Sequence, residues 1–210
     1  MRSYLPALAL LASLSLLGAA CEDPAKNVTA ASVDSAKPTD GSKPAGALPL
    51  SLADSKVEFT GSKLSGKHDG KFEKFSGWAY IDGTKLETAK LFVEIDVASV
   101  KTDSTKLDGH LKNDDFFAIA QHPTATFQLT GLKELKVDGA THEITGNFKL
   151  RGVEKSITFP ATVTIEKDSI HAKAEFKIKR FDFGVNYKGK EDDLIRDDVV
   201  IRLDVKAKAG

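Results

Sequence analysis

The strongest constraint on the fold is an alternation of apolar and polar residues that recurs from about residue 50 onward. Between Val199 and Ala207 every second residue is apolar, and most residues between them are charged. Because side chains of a β-strand point alternately to opposite faces, this pattern predicts strands with one dry and one wet face. It recurs in about eight segments, which cover residues 57–61, 72–81, 89–97, 125–135, 142–150, 157–165, 170–178 and 199–207.

Short polar links between these segments predict antiparallel neighbours. Asp82-Gly83 and Asp138-Gly139 are typical of hairpin turns, and Lys167-Asp168 is a tight two-residue link. A sheet with one apolar face must cover that face. Eight strands are the number at which a closed barrel can hold one small ligand. We therefore predict an all-β fold, an eight-stranded antiparallel β-barrel.

One segment departs from the alternation and predicts a short helix over residues 103–117. Asp103 is a plausible N-cap, and Leu107 and Leu111 lie four residues apart on one helix face. Gly109 disfavours a helix at that point. We expect this helix to cover one end of the barrel.

The inner face of the barrel follows from the charges on the opposite face. Lys, Glu, Asp and Arg occupy the alternate positions of the strands and would be costly to bury unpaired. The apolar positions must then line the interior. The predicted cavity-lining residues are Val93, Ile95, Phe148, Phe159, Val163, Phe176, Ile201 and Leu203.

The N-terminus predicts export and a lipid anchor. Residues 1–20 combine an early Arg2, an apolar run and three small residues, as in a signal peptide. The six residues that end at Cys21 resemble the bacterial lipobox, in which the cysteine receives a diacylglycerol, although Gly18 stands where Leu is usual. The alternative is ordinary cleavage that leaves a free thiol. The lipobox interpretation predicts a protein anchored to a membrane of the cell envelope, with its barrel in the periplasm or at the cell surface.

Residues 21–49 have a different composition from the rest of the chain. They are rich in Ala, Ser, Thr, Lys, Asp, Gly and Pro and carry few large apolar residues. Such a stretch buries too little surface to fold by itself. We predict a disordered linker over residues 21–49 and a barrel domain over residues 50–210.

The sequence gives little support for nucleic-acid binding or catalysis. Basic and acidic residues number 30 each without a basic block, which argues against a nucleic-acid partner. No common catalytic motif occurs, and we expect no enzyme activity. His110 and Asp114 are spaced to share a metal ion, but a third ligand is missing, so we predict no metal site.

Arg180 and Asp182 lie two residues apart and would share a face of a strand. One interpretation is a structural ion pair where strand meets loop. The other is a polar clamp on a ligand headgroup at the barrel mouth.

Short motifs in a fixed order carry a family resemblance. They are Gly70 to Gly77 with Phe72 and Phe75, Val97 to Asp103, His110 to Phe117, Pro123 to Phe127, Gly146 to Val153, and Arg180 to Val185. This ordered set resembles the YceI-like family, also called polyisoprenoid-binding proteins. The resemblance implies a lipocalin-like barrel, export, and an isoprenoid or fatty chain held in a long apolar cavity without a further cofactor.

Two functions compete within this fold. The first is lipid binding in the barrel cavity. The second is a structural or interaction module whose interior is filled by its own side chains, for which 12 phenylalanines provide the material. Trp78 bears on the choice, because it would shorten the cavity if it pointed inward.

Overall fold

The computed structural model describes residues 22–137 and 139–209. The signal segment, Cys21 and Asp138 of one predicted turn lie outside the described residues.

Fourteen strands and one α-helix make up the described part of the chain. The strands are β1 (Ser32–Ser35), β2 (Leu48–Pro49), β3 (Lys56–Lys63), β4 (Gly66–Phe72), β5 (Phe75–Asp82), β6 (Lys85–Asp96), β7 (Val100–Thr102), β8 (Thr124–Val137), β9 (Ala140–Leu150), β10 (Val153–Glu166), β11 (Ser169–Lys179), β12 (Gly189–Lys190), β13 (Asp193–Leu194) and β14 (Asp198–Lys208). Helix α1 spans Thr105–Leu111, and 3₁₀ turns lie at Leu52–Asp54, Val97–Ser99 and Arg180–Phe183.

Twelve of these strands form one curled antiparallel sheet. Their order is β2-β5-β6-β8-β9-β10-β11-β14-β3-β4-β7, and β1 is added beside β10. Strands β12 and β13 form a separate small hairpin. The curl places the apolar faces on the inside, as the alternation requires.

The predicted fold class is confirmed, while the number of strands differs. Each of the eight predicted segments overlaps a strand, but six further strands are additional: β1, β2, β4, β7, β12 and β13. The longest of these is β4. Between Gly66 and Lys71 this strand has no large apolar residue, so alternation could not reveal it. It forms because every residue from Gly66 to Phe72 pairs with a partner on β3.

Helix α1 is shorter than predicted, and its N-cap lies one residue later. Its N-cap is Ser104, whose hydroxyl accepts a hydrogen bond from the backbone N–H of Leu107. Lys112 is the C-cap, and turns follow it. Together with Val100, Val185 and Phe116, Leu111 forms a core cluster that closes one end of the barrel.

The segment that we predicted to be a disordered linker is not a free linker in the structure, because part of it pairs with the barrel. We call residues 23–50 the N-terminal strap. Strand β1 pairs with β10 over four residues, and β2 pairs with β5. The segment has few large apolar residues, but in β1 and β2 its backbone hydrogen bonds are satisfied by the strand edges that it meets.

Candidate ligand cavity

The curled sheet encloses a cavity of about 170 Å³. Apart from Glu58, Tyr80 and Lys90, the residues that line it are apolar. The ammonium group of Lys90 faces outward, where it donates to Asp40 of the strap at 3.0 Å. The cavity can therefore hold hydrocarbon and has little means of holding a charged group.

All eight sequence-predicted cavity residues lie in the cavity wall. They are Val93, Ile95, Phe148, Phe159, Val163, Phe176, Ile201 and Leu203. Period-two alternation was enough to find them, because a residue's side of the wall depends only on its parity along an unbroken strand. Their contact with a ligand stays a prediction.

Aromatic rings fill much of the middle of the barrel. The rings of Phe159 and Phe176 are stacked, with centroids 4.0 Å apart and planes 13° from parallel. Phe127 packs against Phe159 at 6.0 Å. Pockets for drug-sized ligands measure roughly 300–1,000 Å³. The space left by these rings thus suits a slender chain better than a bulky ligand.

The cavity extends toward the end formed by the β5–β6 and β10–β11 hairpins, which we call the mouth. A pocket between these two hairpins shares Tyr80, Ile81, Ile165 and Ile170 with the cavity. Strap residues border this end: Leu48 lines the mouth pocket and Leu50 lines the cavity itself.

The barrel wall has a seam between β10 and β11. These strands pair only near the mouth, from Thr162–Lys173 to Glu166–Ser169. Beyond that point β1 occupies the gap: Ser32 pairs with Thr158 on β10, and Ala31 donates its N–H to the carbonyl of Lys177 on β11 at 2.9 Å. Strand β1 is therefore part of the wall.

Arg180 and Asp182 do not share a strand face, which corrects the sequence interpretation. Both lie in the 3₁₀ turn Arg180–Phe183, and neither lines the cavity. The guanidinium of Arg180 donates to three backbone carbonyls, those of Val185 at 2.6 Å, Arg196 at 3.0 Å and Ile195 at 3.1 Å. Burial lowers the pKa of Arg180, and nearby Asp197 opposes that shift. The residue anchors the loop that follows β11, so the headgroup clamp is not supported.

Arg151 makes contacts at the closed end of the barrel, the end near helix α1, that the sequence did not reveal. It has a positive φ of 50° in the β9–β10 turn. Its guanidinium donates to the carbonyls of Gly184 at 2.6 Å and Asp114 at 2.8 Å. This side chain ties the hairpin to the two loops that cover the closed end. Arg151 stood in a motif, but nothing in its local pattern indicated those partners.

Trp78 lies on the outer face of β5 and does not line the cavity. Its ring packs near Phe92, its cross-strand neighbour, with centroids 6.4 Å apart. The side chain is 7% exposed although it faces outward. Trp78 therefore does not shorten the cavity.

The pair His110 and Asp114 does not form a site in the structure. His110 packs edge-on against Phe116 and Tyr187 at 4.9 and 5.1 Å. Within residues 22–137 and 139–209, no three His, Cys, Asp or Glu side chains are grouped to hold a metal ion. In the same residues, no helix has the length and apolar character needed to cross a membrane.

Comparison with known proteins shows the family to which the chain belongs. The model of the YceI-like domain matches residues 49–207. The chain belongs to the YceI-like family. A family relative from Azotobacter vinelandii, named UPF0312 protein, is 40% identical over 92 residues, which are 44% of this chain and 47% of that protein. Protein YceI of Escherichia coli O6:H1 is 35% identical over 122 residues, 55% of this chain and 62% of that protein. The chain thus spans less than two thirds of the length of these relatives.

Several solved structures resemble the barrel. BcnA of Burkholderia cenocepacia superposes with a TM-score of 0.67 at 25% identity, over 76% of this chain and 99% of that one. The Campylobacter jejuni YceI protein gives a TM-score of 0.57 at 30% identity, over 67% and 84%. A polyisoprenoid binding domain from Saccharophagus degradans gives 0.61 at 18% identity over 77% and 98%, a likeness of fold alone.

Proposed function

We propose that this YceI-like protein binds one long-chain lipid, an isoprenoid or a fatty-acyl chain, inside its barrel and carries, stores or sequesters it without chemical change. The observation that carries this proposal is the apolar cavity that continues to the mouth. A buried methylene group contributes about 0.8 kcal/mol, so a dozen of them give roughly 10 kcal/mol before ordering costs. The family fold shared with a polyisoprenoid binding domain supports the same ligand class.

We also propose that the protein is exported and held to a membrane of the cell envelope by acylated Cys21. The signal-like residues 1–20 and the lipobox-like residues before Cys21 support this location. A membrane anchor would place the barrel close to a source of long-chain lipids.

A side-chain-filled barrel is the second candidate function, a structural or interaction module. The stacked rings of Phe159 and Phe176 favour it, because they occupy the middle of a cavity of only about 170 Å³. This candidate predicts that no lipid enters the barrel.

Phe176→Leu separates the two candidates. The change keeps the site apolar but removes half of the ring stack, so we expect a changed affinity or a preference for a longer or bulkier chain. The measurement is equilibrium uptake of fluorescent fatty acids of several chain lengths and of a fluorescent isoprenoid. Packing loss is expected to cost about 1–3 kcal/mol of stability, which thermal unfolding would check.

The control is Lys149→Ala, which changes an exposed, outward-facing residue of β9. It should bind like wild type. Solvent extraction of protein purified from its native membrane, followed by mass spectrometry, identifies the natural ligand. Wild-type protein that takes up no fatty acid and no isoprenoid would exclude lipid binding and leave the filled barrel.

A further inference from the structure

Around β1 the N-terminal strap closes the seam in the barrel wall, and it does so with few apolar atoms. Ala31 and Val33 point inward and pack against the core cluster that contains Phe159 and Phe176. Ser32, Asp34 and Ser35 are exposed. From Ala31 to Asp34 the strap thus alternates like a wall strand, but two small apolar side chains are all that this stretch adds to the interior.

Opening the wall at this seam would leave the main sheet intact. Strands β10 and β11 share no pairing beyond Thr162 and Lys173, and there the strap bridges them: β1 pairs with β10, and Thr29 and Ala31 form backbone hydrogen bonds with Lys177 of β11. On the inner side the seam is closed by the stacked rings of Phe159 and Phe176. Rings can rotate away, whereas breaking a ladder between two long strands would cost many hydrogen bonds.

A groove lies outside the same seam. Strap residues Thr29, Ala30 and Ser32 line one part of it. Phe159, Ala174 and Leu203 line both the groove and the cavity. The barrel wall between the two spaces is therefore a single residue thick.

The strap is held over this region by a specific contact. Asn147, on the outer face of β9 and 3% exposed, donates to the carbonyl of Lys37 at 2.6 Å and accepts from its N–H at 2.9 Å. No other side chain forms two hydrogen bonds with the backbone of one strap residue among those described. Asn147 fixes the strap immediately after β1.

We propose that β1 is a lateral gate: lipid enters and leaves the cavity through the β10–β11 seam when β1 detaches from β10 and the Phe159–Phe176 stack parts. This inference rests on the proposed lipid binding and adds the route.

A disulfide staple tests the gate. Ser32 and Thr158 are cross-strand partners, and the Cα separation of such pairs fits a disulfide. Full-length protein with Cys21→Ser, Ser32→Cys and Thr158→Cys is loaded with a fluorescent long-chain fatty acid, and release into phosphatidylcholine vesicles is timed. We expect release at least tenfold slower in the oxidised form, with the rate restored by reduction.

The control staple is Lys71→Cys with Lys101→Cys in the same Cys21→Ser background. These exposed partners join β4 to β7 and do not line the cavity. This staple should leave release unchanged. Equal release from the oxidised and reduced Ser32–Thr158 staple would overturn the gate and assign exchange to the mouth. Failure of the unstapled protein to bind fatty acid or isoprenoid at equilibrium would instead remove the proposed function, and the gate with it.

Asn147→Ala provides the opposite test without a cross-link. Loss of both bonds to Lys37 should loosen the strap and speed release several-fold, while hydrogen exchange of the β1 amides also accelerates. Asn186→Ala, at an exposed loop position, is the matched control and should change neither. Faster exchange in β1 with unchanged release would contradict the gate.

Discussion

Single residues at the closed end have roles set by partners outside their own helix or turn. Arg180 is 6% exposed, and its guanidinium donates hydrogen bonds to carbonyls that lie up to 16 residues away. Asp108, also 6% exposed, accepts hydrogen bonds from the Thr102 N–H at 2.6 Å and hydroxyl at 2.8 Å. Buried polar groups need such partners, so both side chains stabilise the loops that cover the barrel.

Asp108 predicts a pH dependence of stability. The hydrogen bond from the Thr102 hydroxyl is the main cause that lowers its pKa in the folded protein, with the Thr102 N–H and Lys101 adding to it. A carboxyl whose pKa is lower when folded stabilises the protein above its unfolded pKa, about 3.9, and loses that effect as pH falls through the folded pKa. We expect Asp108→Asn to lower Tm at pH 7, and the difference from wild type to shrink at pH values below the folded pKa.

Circular dichroism melts across this pH range measure the difference directly. Asp115→Asn, at an exposed position three residues after the C-cap, is the control and should leave Tm nearly unchanged at every pH. A Tm deficit in Asp108→Asn that stays constant down to the lowest pH would mean that the carboxylate charge is not what stabilises the helix.

Among the elements, β1 and β4 have almost no strand pattern in their own sequences, and they form because they pair with neighbouring strands. Both contain few large apolar residues, and both pair with longer neighbouring strands. A chain segment placed along a free strand edge satisfies its backbone hydrogen bonds whatever its side chains are. Tertiary context therefore overrides the weak local pattern in both strands.

Removal of the strap should destabilise the barrel. Deletion of residues 22–49 exposes the inner seam around Phe159 and Phe176 and leaves Asn147 without its partner. We expect a loss of about 3 kcal/mol, or roughly 6–12 °C in Tm for a domain of this size. Thermal unfolding of the deleted and full-length proteins gives the answer. An unchanged Tm would restore the interpretation of residues 21–49 as an independent linker.

At the scale of the whole molecule, the strap joins the barrel to the proposed anchor. Asp23 pairs with Arg196 at 3.3 Å, and Lys177 donates to the carbonyl of Ala25 at 3.0 Å. The chain is thus held against the barrel from its second described residue. An anchor at Cys21 would keep the barrel near the membrane, because only one residue separates Cys21 from Asp23, which is bound to the barrel.

Cys21→Ser tests that anchor. We expect wild-type protein in the membrane fraction and in the detergent phase, with a diacylglycerol mass on its N-terminal peptide, because two acyl chains hold a protein stably. The serine variant should be soluble or uncleaved, and Ser13→Ala, within the signal segment, should behave like wild type. A cleaved serine variant that remains with membranes would contradict lipid anchoring.

The sequence by itself determined the fold class, the closing helix and the eight cavity residues, since period-two alternation over long strands specifies both strand and face. It could not determine the place of the strap, because backbone hydrogen bonds at a free edge leave almost no trace in side-chain pattern. Nor could it determine the role of Arg180, since a short 3₁₀ turn after β11 changes the direction in which its side chain points. The width of the cavity was likewise decided by tertiary structure, because it depends on how Phe159 and Phe176 stack across the β10–β11 seam, which β1 closes from a distant part of the chain.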